Sequence, residues 1–270
     1  MSANQLILKR TALGTTYLDL LDRSGFTLVD MNMIEPFYID DKNHHPTSIV
    51  FERDSIMYAI RSDWTRTLLN FNNNYYSNET KFGYFGPVVR EHESFYQAGV
   101  EIYKAGNQDI INALLMHIQF VENSTEDTIK TFVINNDQLL DLFIDKYKLS
   151  ENIRTLVYSK NISELRRVLG TDHDLYKIIS AKVSEQYEMI QQLFGDTEIM
   201  QLIERVKDVI KSQNKETKFI LDLSFRSPQK YYNGLYFQAF LNANSPVLSG
   251  GQYNSSAFGI GLNLSDGGLL

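Results

Sequence analysis

Apolar residues recur at helical spacing near the start of the chain, and this spacing predicts an opening helix over residues 5–22. A serine–glycine pair shortly after it provides the stop. Residues 25–36 then alternate apolar and polar positions up to a proline, which predicts a strand. The polar segment 40–48 contains a proline and predicts a loop. The chain therefore begins with a helix that leads into a strand.

Strand patterns dominate the next part of the chain. Residues 48–53 and 55–63 predict a pair of strands, and residues 65–71 predict a helix after them. Residues 81–90 and 94–104 predict two longer strands, joined by a short connection of sequence EHE. Because so short a connection joins neighbouring antiparallel strands, these segments predict a largely antiparallel sheet.

The middle of the chain mixes helices and strands, and the end returns to strands. Helices are predicted over 109–123 and 137–148, with a strand over 128–135 between them. A helical run punctuated by glycines follows over 161–211. The closing strands are predicted over 218–225, 232–241, 246–253 and 258–264. We therefore expect an α+β fold, with residues 1–270 forming one domain that carries a helical insertion at about 161–211.

Composition narrows the class of protein. A hydrophobic fraction of 43% over 270 residues suits an ordered globule with a substantial core. No segment is apolar for long enough to cross a bilayer, and the first residues lack the apolar stretch of a secretory signal. The chain has no cysteine and a net charge of −7, which disfavours disulfides and nonspecific attraction to nucleic acid. We expect a cytoplasmic protein with no membrane partner.

Generic catalytic motifs are not found. The glycine-rich segments GGQYN and FGIGLNL do not fit the pattern of a phosphate-binding loop, so tight turns and close strand packing are the favoured explanation for them. The histidines lack the HExxH spacing of a metal site, and none is expected. His117 lies on an apolar helical stretch and is interpreted as a buried histidine with its hydrogen bonds satisfied. The other histidines are His44, His45, His92 and His173, which are interpreted as loop residues.

Polar residues at strand positions are the more informative set. Gln97 and Glu101 have even spacing and so point to the same face of the sheet, and Arg61 and Asp63 share parity in the same way. If that face lines a cavity, the carboxylates and the amide can hold a positively charged ligand. If it is a solvated sheet face, they have no binding role. The spacing leaves both alternatives open.

The order of several segments resembles histidyl-tRNA synthetase over nearly the whole chain. GFTLVDMNMIEP resembles the first class II motif, YFGPVVRE with SFYQAGVE the second motif, and GGQYN with FGIGLNL the third motif. Between them, YAIRSDWT resembles the strand that carries the family's Arg-Pro-acidic-x-Thr element, and KYYNGLYF resembles its histidine-specific tyrosine pair. The resemblance implies a class II synthetase-like fold, with a six-stranded antiparallel sheet flanked by helices and a dimer interface built by the first motif. It also implies that an amino acid lies on the sheet. The histidine-binding residues that the resemblance implies are Asp63, Thr65, Arg90, Gln97, Glu101, Tyr231 and Tyr232.

The nucleotide-binding positions of that family are largely lost. Ser227 stands where the family has a catalytic arginine, and Arg226, one residue away on an extended segment, points to the opposite face. Leu264 stands at the arginine that clamps the triphosphate, and Asn32 replaces the first motif's proline. The loop after Arg90 is several residues shorter than the family's. No anticodon-binding domain is expected after the third motif, and no tRNA partner.

A core that keeps an amino-acid pocket and loses nucleotide chemistry resembles the regulatory subunit of short-form ATP phosphoribosyltransferase. The resemblance implies a non-catalytic protein without cofactor or metal, which takes histidine as an allosteric ligand. It also implies a homodimer through the class II interface and a hetero-octamer with a separate catalytic subunit. Two alternatives stay open: a truncated enzyme that adenylates an amino acid for a non-tRNA acceptor, and a scaffold that binds no ligand.

Overall fold

The computed structural model describes residues 2–37, 48–74, 78–125, 127–227, 231–242, 244–254, 256–264 and 269–270. The predicted loop over 40–48, with His44 and His45, lies outside the described residues except for its last position. The helices are α1 (Ala3–Arg23), α2 (Trp64–Asn74), α3 (Asn107–Ser124), α4 (Gln138–Tyr147), α5 (Asn152–Tyr158), α6 (Ile162–Leu169), α7 (Asp174–Ser180), α8 (Val183–Phe194) and α9 (Glu198–Gln213).

The strands are concentrated toward the two ends of the chain. They are β1 (Thr27–Leu28), β2 (Ile34–Pro36), β3 (Val50–Arg53), β4 (Ile56–Ile60), β5 (Lys81–Arg90), β6 (Glu93–Ile102), β7 (Thr131–Asn136), β8 (Lys218–Leu221), β9 (Tyr232–Phe240), β10 (Leu248–Tyr253) and β11 (Ala257–Asn263). The opening helix, the pair β3 and β4 and the long strands β5 and β6 occur where the sequence patterns predict them.

Within the described residues, eight strands form the large sheet in the order β1-β5-β6-β11-β10-β9-β7-β8. The six inner strands, β5 to β7 in that order, are all antiparallel to their neighbours. The strands β1 and β8 add to the two edges in parallel orientation. The expected α+β fold with a class II synthetase-like antiparallel sheet is confirmed, and the parallel edge strands extend it.

The predicted strand over residues 25–36 is wrong as a single element. The structure divides it into β1, which pairs with β5 at the edge of the large sheet, and β2, which pairs with β4 in a separate three-stranded sheet. The segment leaves one sheet and joins another, so no continuous ladder can span it. An alternating pattern shows where a strand can form but not with which partner it pairs.

The connection between β5 and β6 is a tight hairpin. Arg90 pairs with Glu93, which leaves Glu91 and His92 as a two-residue turn. The ten-residue strands on either side extend this ladder to Lys81 and Ile102. The short loop expected after Arg90 is therefore present as a minimal β-turn.

Helices continue without an intervening strand from α4 to α9. The helical run therefore begins before residue 161, because α4 and α5 precede it. A break at Ala181 and Lys182, whose backbones are extended, separates α7 from α8 where the sequence pattern runs on. How this stretch divides into domains stays a prediction.

The main core lies between the large sheet and the helices. Val100, Ile260 and Phe237 lie in one row across the sheet and are all fully buried. They belong to the same apolar cluster as Leu114 of α3 and Ile203 of α9. Because side chains alternate along a strand, the residues between them project from the opposite face, where the polar positions lie. None of the described helices is long and apolar enough to cross a membrane.

Candidate functional site

A cavity of about 130 Å³ opens on the face of the large sheet opposite to the main core. A space of this size has room for several water-sized groups and is polar enough for a small charged ligand. All of the residues predicted to bind histidine, apart from Glu101, line it: Asp63, Thr65, Arg90, Gln97, Tyr231 and Tyr232. The structure thus joins residues from α2, β5, β6 and β9 at one place.

Asp63 reaches the cavity from the start of a helix, not from a strand. The predicted strand over 55–63 ends at Ile60, so strand parity with Arg61 does not place Asp63. Its Oδ1 accepts a hydrogen bond from the backbone N–H of Arg66 at 2.9 Å, as a carboxylate at a helix N-cap does. The hydroxyl of Tyr231 donates to the same oxygen at 3.1 Å. Asp63 is therefore fixed on two sides while it faces the cavity.

Arg61 has a structural role, and its side chain does not line the cavity. Its Nε and Nη1 donate to the backbone oxygens of Pro87 at 3.1 Å and Met31 at 2.9 Å. Its guanidinium lies 3.7 Å from the centre of the Trp64 ring, which in turn stacks on Tyr84. Arg61 thus supports the floor of the cavity from outside and does not enter it.

Glu101 lies beneath the cavity and has no exposed surface. Thr65 donates from Oγ1 to one of its carboxyl oxygens, and Tyr253 donates to the other at 2.7 Å. Burial raises the pKa of Glu101 to about 8, while these two hydrogen bonds lower it and the nearby charge of Asp63 raises it. The group is therefore poised to exchange a proton near neutral pH.

Gln97 and Glu101 project from the same face of β6, as the even spacing predicts. Gln97 lines the cavity, and its Oε1 is buried with no hydrogen-bond partner among the described residues. A buried polar atom without a partner carries a desolvation cost unless a ligand or water satisfies it. The structure therefore favours the alternative in which this face of the sheet lines a cavity over the one in which it is a solvated face.

Arg90 lines the cavity from the end of β5. Its Nε donates to the backbone oxygen of Ser62 at 3.3 Å, and its Nη1 donates to Glu93 at 3.2 Å across the hairpin. Its guanidinium also lies 4.8 Å from the centre of the Phe95 ring. These contacts hold the positive charge at the edge of the cavity beside the two-residue turn.

Aromatic rings close the end of the cavity near Glu101. The rings of Tyr231 and Tyr232 lie 4.7 Å apart, and both approach Tyr253. Burial raises the pKa of both Tyr231 and Tyr232 well above the usual value, and the charges of Asp63 and Glu101 raise it further. These hydroxyls therefore stay neutral and can donate hydrogen bonds. The preceding residues 228–230 lie outside the described part of the chain.

Six further residues line the cavity, and none of them is predicted from the sequence as a binding residue. One of them, Ser227, is named there only as the position where the family has an arginine. The six residues are Tyr84, Ser227, Tyr236, Gln238, Ser249 and Gly261. Register places Tyr84, Gly261, Ser249 and Gln238 in one row across the sheet through Gly99. Even spacing within each strand was the available signal, but it becomes informative only once the order of the strands is known.

Two losses expected from the resemblance have clear structural counterparts. Ser227 lines the cavity at the lost arginine position, whereas the neighbouring Arg226 lies 5.0 Å from the ring of Tyr158, outside the cavity-lining set. The one-residue offset therefore does turn Arg226 away. Leu264, at the other arginine position, is almost fully buried in the main apolar cluster.

Of the histidines that the structure describes, His117 and His173 have structural roles and His92 does not. His117 is fully buried, with its ring nitrogens 2.7 Å from the Tyr17 hydroxyl and 2.7 Å from the Ala113 carbonyl oxygen, which confirms the interpretation of a satisfied core residue. His92 lies exposed in the β5–β6 turn. His173 accepts a hydrogen bond from Leu175 and caps α7.

Comparison with known proteins identifies the family. The model of the histidyl-tRNA synthetase family matches residues 5–265. The chain belongs to the histidyl-tRNA synthetase family. A relative from Staphylococcus aureus, named ATP phosphoribosyltransferase regulatory subunit, is 27% identical over 257 residues, which cover 93% of this chain and 94% of the relative. The expected resemblance to regulatory subunits of ATP phosphoribosyltransferase is thereby confirmed.

Solved structures share the fold. The ATP phosphoribosyltransferase (HisG:HisZ) complex from Thermotoga maritima contains a chain that matches with a TM-score of 0.77 and 18% identity, covering 96% of this chain and 98% of that one. A regulatory subunit/histidyl-tRNA synthetase from Bacillus halodurans matches with a TM-score of 0.76 and 15% identity, covering 96% and 77%. At these identities the structural likeness concerns the fold alone.

Proposed function

We propose that this chain is the non-catalytic regulatory subunit of an ATP phosphoribosyltransferase, the first enzyme of histidine biosynthesis, and that it senses histidine for feedback inhibition. The observation that carries the proposal is one cavity in which the predicted amino-acid-binding residues come together while the nucleotide-binding positions are changed. The name of the Staphylococcus aureus relative supports the same function.

The cavity offers a partner for each cationic or ring group of histidine. Asp63 and the unpartnered Oε1 of Gln97 suit the α-ammonium, because a desolvated ammonium requires anionic or strongly accepting partners. Glu101 and the hydroxyls of Tyr231 and Tyr232 suit the imidazole at the aromatic end. The tyrosine rings would enclose the flat face of the ligand ring.

The nucleotide side of the site supports a non-catalytic role. Adenylation requires cations at the α-phosphate, because stabilising the charge that develops there dominates such chemistry. Ser227 and Leu264 provide none, and the turn at Glu91 and His92 is too short to cover an adenine. Arg90 stands at the arginine position of the second motif, but its guanidinium is held by hydrogen bonds to Ser62 and Glu93.

The proposed partner is the separate catalytic subunit, in a hetero-octamer. Because linkage is reciprocal, histidine inhibits if it binds the less active quaternary state of the complex more tightly than the active one.

A homodimer within that assembly is supported by the outer face of the small sheet, where Ile34 and Ile56 are each about half exposed. Phe51, Tyr58 and Ile60 share this face by register. The proposed protein binds histidine and requires neither a cofactor nor tRNA. We propose that it acts in the cytoplasm.

Copurification with a short-form catalytic subunit tests the proposed partnership directly. We expect the two purified chains to form one complex whose phosphoribosyl transfer falls when histidine is added. The purified chain alone should show no histidine-dependent exchange between ATP and pyrophosphate. Robust exchange would favour the adenylating enzyme, and failure to form the complex would contradict the regulatory function.

A further inference from the structure

Strand β9 bulges directly after the tyrosine pair that lines the cavity. Gly251 of β10 pairs with Tyr236, whereas Tyr253 pairs with Tyr232, so residues 233–235 stand opposite a single residue of β10. In a regular ladder Tyr232 would lie two residues further along, or about 7 Å at the usual rise per residue. The bulge therefore brings Tyr232 back to a position beside Tyr253. Bulges of this kind redirect side chains at the ends of strands.

Two hydrogen bonds hold the bulge, one from each neighbouring strand. The backbone N–H of Leu235 donates to the side-chain Oε1 of Gln252 at 3.0 Å. On the other side, the backbone N–H of Asp137, which precedes α4, donates to the Gly234 carbonyl oxygen at 3.1 Å. Gly234 has a φ of +98°, in the region that favours glycine. Gln252 thus holds the bulge from the β10 side through its side chain.

The rings of the tyrosine pair lie where the bulge places them. Tyr232 Cδ1 is 3.1 Å from the position that a Cβ on Gly251 would take, so this ring rests on the glycine. The Tyr231 ring lies 4.7 Å from that of Tyr232, and its hydroxyl donates to Asp63. Both rings meet the Tyr253 ring edge-on. Since both tyrosines directly precede the bulge, a slip of β9 to the regular register would displace both rings.

Gln252 itself does not line the cavity. Its neighbours Gly251 and Tyr253 face the pocket, so Gln252 lies on the opposite face of β10. There it pairs with Phe258, which is fully buried in the main core. An effect of Gln252 on a ligand must therefore pass through the residues that it holds in place.

We propose that Gln252 is a positioning residue for ligand recognition, which holds the bulge of β9 and thereby keeps Tyr231 and Tyr232 against the ring of the bound amino acid. Without its hydrogen bond the bulge can relax, and the ligand has to restore the bulge at a cost in affinity. This inference rests on the proposed function, since it takes histidine as the ligand.

Calorimetric titration of the full-length chain with histidine tests this role through two substitutions of similar length. Gln252→Met removes the accepting oxygen and should weaken histidine binding roughly tenfold, whereas Gln252→Glu keeps such an oxygen and should stay within about threefold of the unmodified chain. Unchanged affinity in Gln252→Met, or an equal loss in both variants, would overturn the positioning role and leave histidine sensing intact. No binding by the unmodified chain would overturn both.

Gln186→Met is the matched control, because Gln186 makes the same kind of bond elsewhere. Its Oε1 accepts from the backbone N–H of Leu223 at 3.2 Å, and the residue lies on α8, outside the cavity-lining set. The substitution should lower the melting temperature and leave histidine affinity unchanged. A loss of affinity as large as that of Gln252→Met would show that general destabilisation causes both losses, and would overturn the positioning role.

Amide hydrogen exchange on the unmodified protein tests the same role without a variant. Histidine stabilises the state in which the tyrosines contact it, so it should suppress local opening of the bulge. We expect saturating histidine to slow exchange of the Leu235 amide by a larger factor than that of the Leu223 amide. Equal factors at the two amides would contradict the proposal.

Discussion

Tyr253 donates a hydrogen bond of 2.7 Å to the carboxyl group of Glu101, which lies 152 positions earlier in the chain. Both side chains are fully buried, and the bond joins β6 to the end of β10 across the intervening strand. Glu101 also accepts from Thr65. Glu101 is therefore a buried polar group whose two hydrogen-bond partners come from two distant segments, α2 and β10.

Removal of the Tyr253 hydroxyl should cost stability. We expect Tyr253→Phe to lower the free energy of unfolding by about 1–2 kcal/mol, because it leaves a buried carboxyl oxygen without its donor. Urea denaturation at pH 7 measures the difference. Tyr58→Phe is the matched control on the outer face of the small sheet, where the ring keeps its stacking on Phe51, and it should change stability by less than about 0.5 kcal/mol. Equal effects of the two variants would contradict the assignment.

Glu101 should make stability fall as the pH rises. Its pKa is raised to about 8 in the folded protein by burial, from 4.5, so the folded state binds more protons between these values. The stability that protonated Glu101 contributes is fully present below pH 4.5 and is lost as the pH rises through 8. Glu101→Gln should remove this slope, and denaturation curves at pH 5, 7 and 9 measure it. A slope that persists unchanged in the variant would show that another group causes it.

His117 should have the opposite effect on the acid side. Burial lowers its pKa from 6.5 to about 4, so the unfolded chain binds the additional proton between these values. Stability due to the neutral ring is present above pH 6.5 and is lost as the pH falls through 4. The substitution His117→Phe should flatten stability between pH 6.5 and 4, although loss of the Tyr17 contact lowers it at every pH. A variant as acid-sensitive as the unmodified protein would contradict this.

The ion pair between Arg66 and Glu35 links α2 to the small sheet in a nearly solvent-free position. Arg66→Met should destabilise the protein by about 3–5 kcal/mol, because it leaves the Glu35 charge buried without this partner. The double variant with Glu35→Leu should recover much of that loss. The exposed pair of Arg23 and Asp19 is the control, and Asp19→Ala should change the unfolding free energy by less than about 1 kcal/mol. A double variant that is less stable than Arg66→Met would contradict this account.

The sequence predicted most of the local structure because local patterns determine it. The opening helix, the hairpin around Glu91 and His92 and the shared face of Gln97 and Glu101 all follow from periodicity. The position of Asp63 was misassigned to a strand. An acidic residue directly before a helical pattern is also an N-cap signal, and the structure shows that role.

Other features depend on the order of the strands in the sheet, which the sequence patterns do not predict. The parallel edge strands β1 and β8 and the bond from Tyr253 to Glu101 require knowledge of which strands are neighbours. The same is true of the row that brings Ser249 and Gln238 to Gly261. Periodicity fixes the face of a residue within its strand, whereas the partner across the ladder depends on the whole topology.

Histidine inhibition of the reconstituted complex with a catalytic subunit tests the central claim most directly. Gln97→Ala removes the buried oxygen that has no protein partner among the described residues, and Gln119→Ala is the matched control at an exposed position bonded to Gln213. We predict inhibition of the unmodified complex and of Gln119→Ala at the same histidine concentration, and a roughly tenfold or higher requirement for Gln97→Ala, with assembly intact. Inhibition of the Gln97→Ala complex at the unmodified concentration would contradict the account.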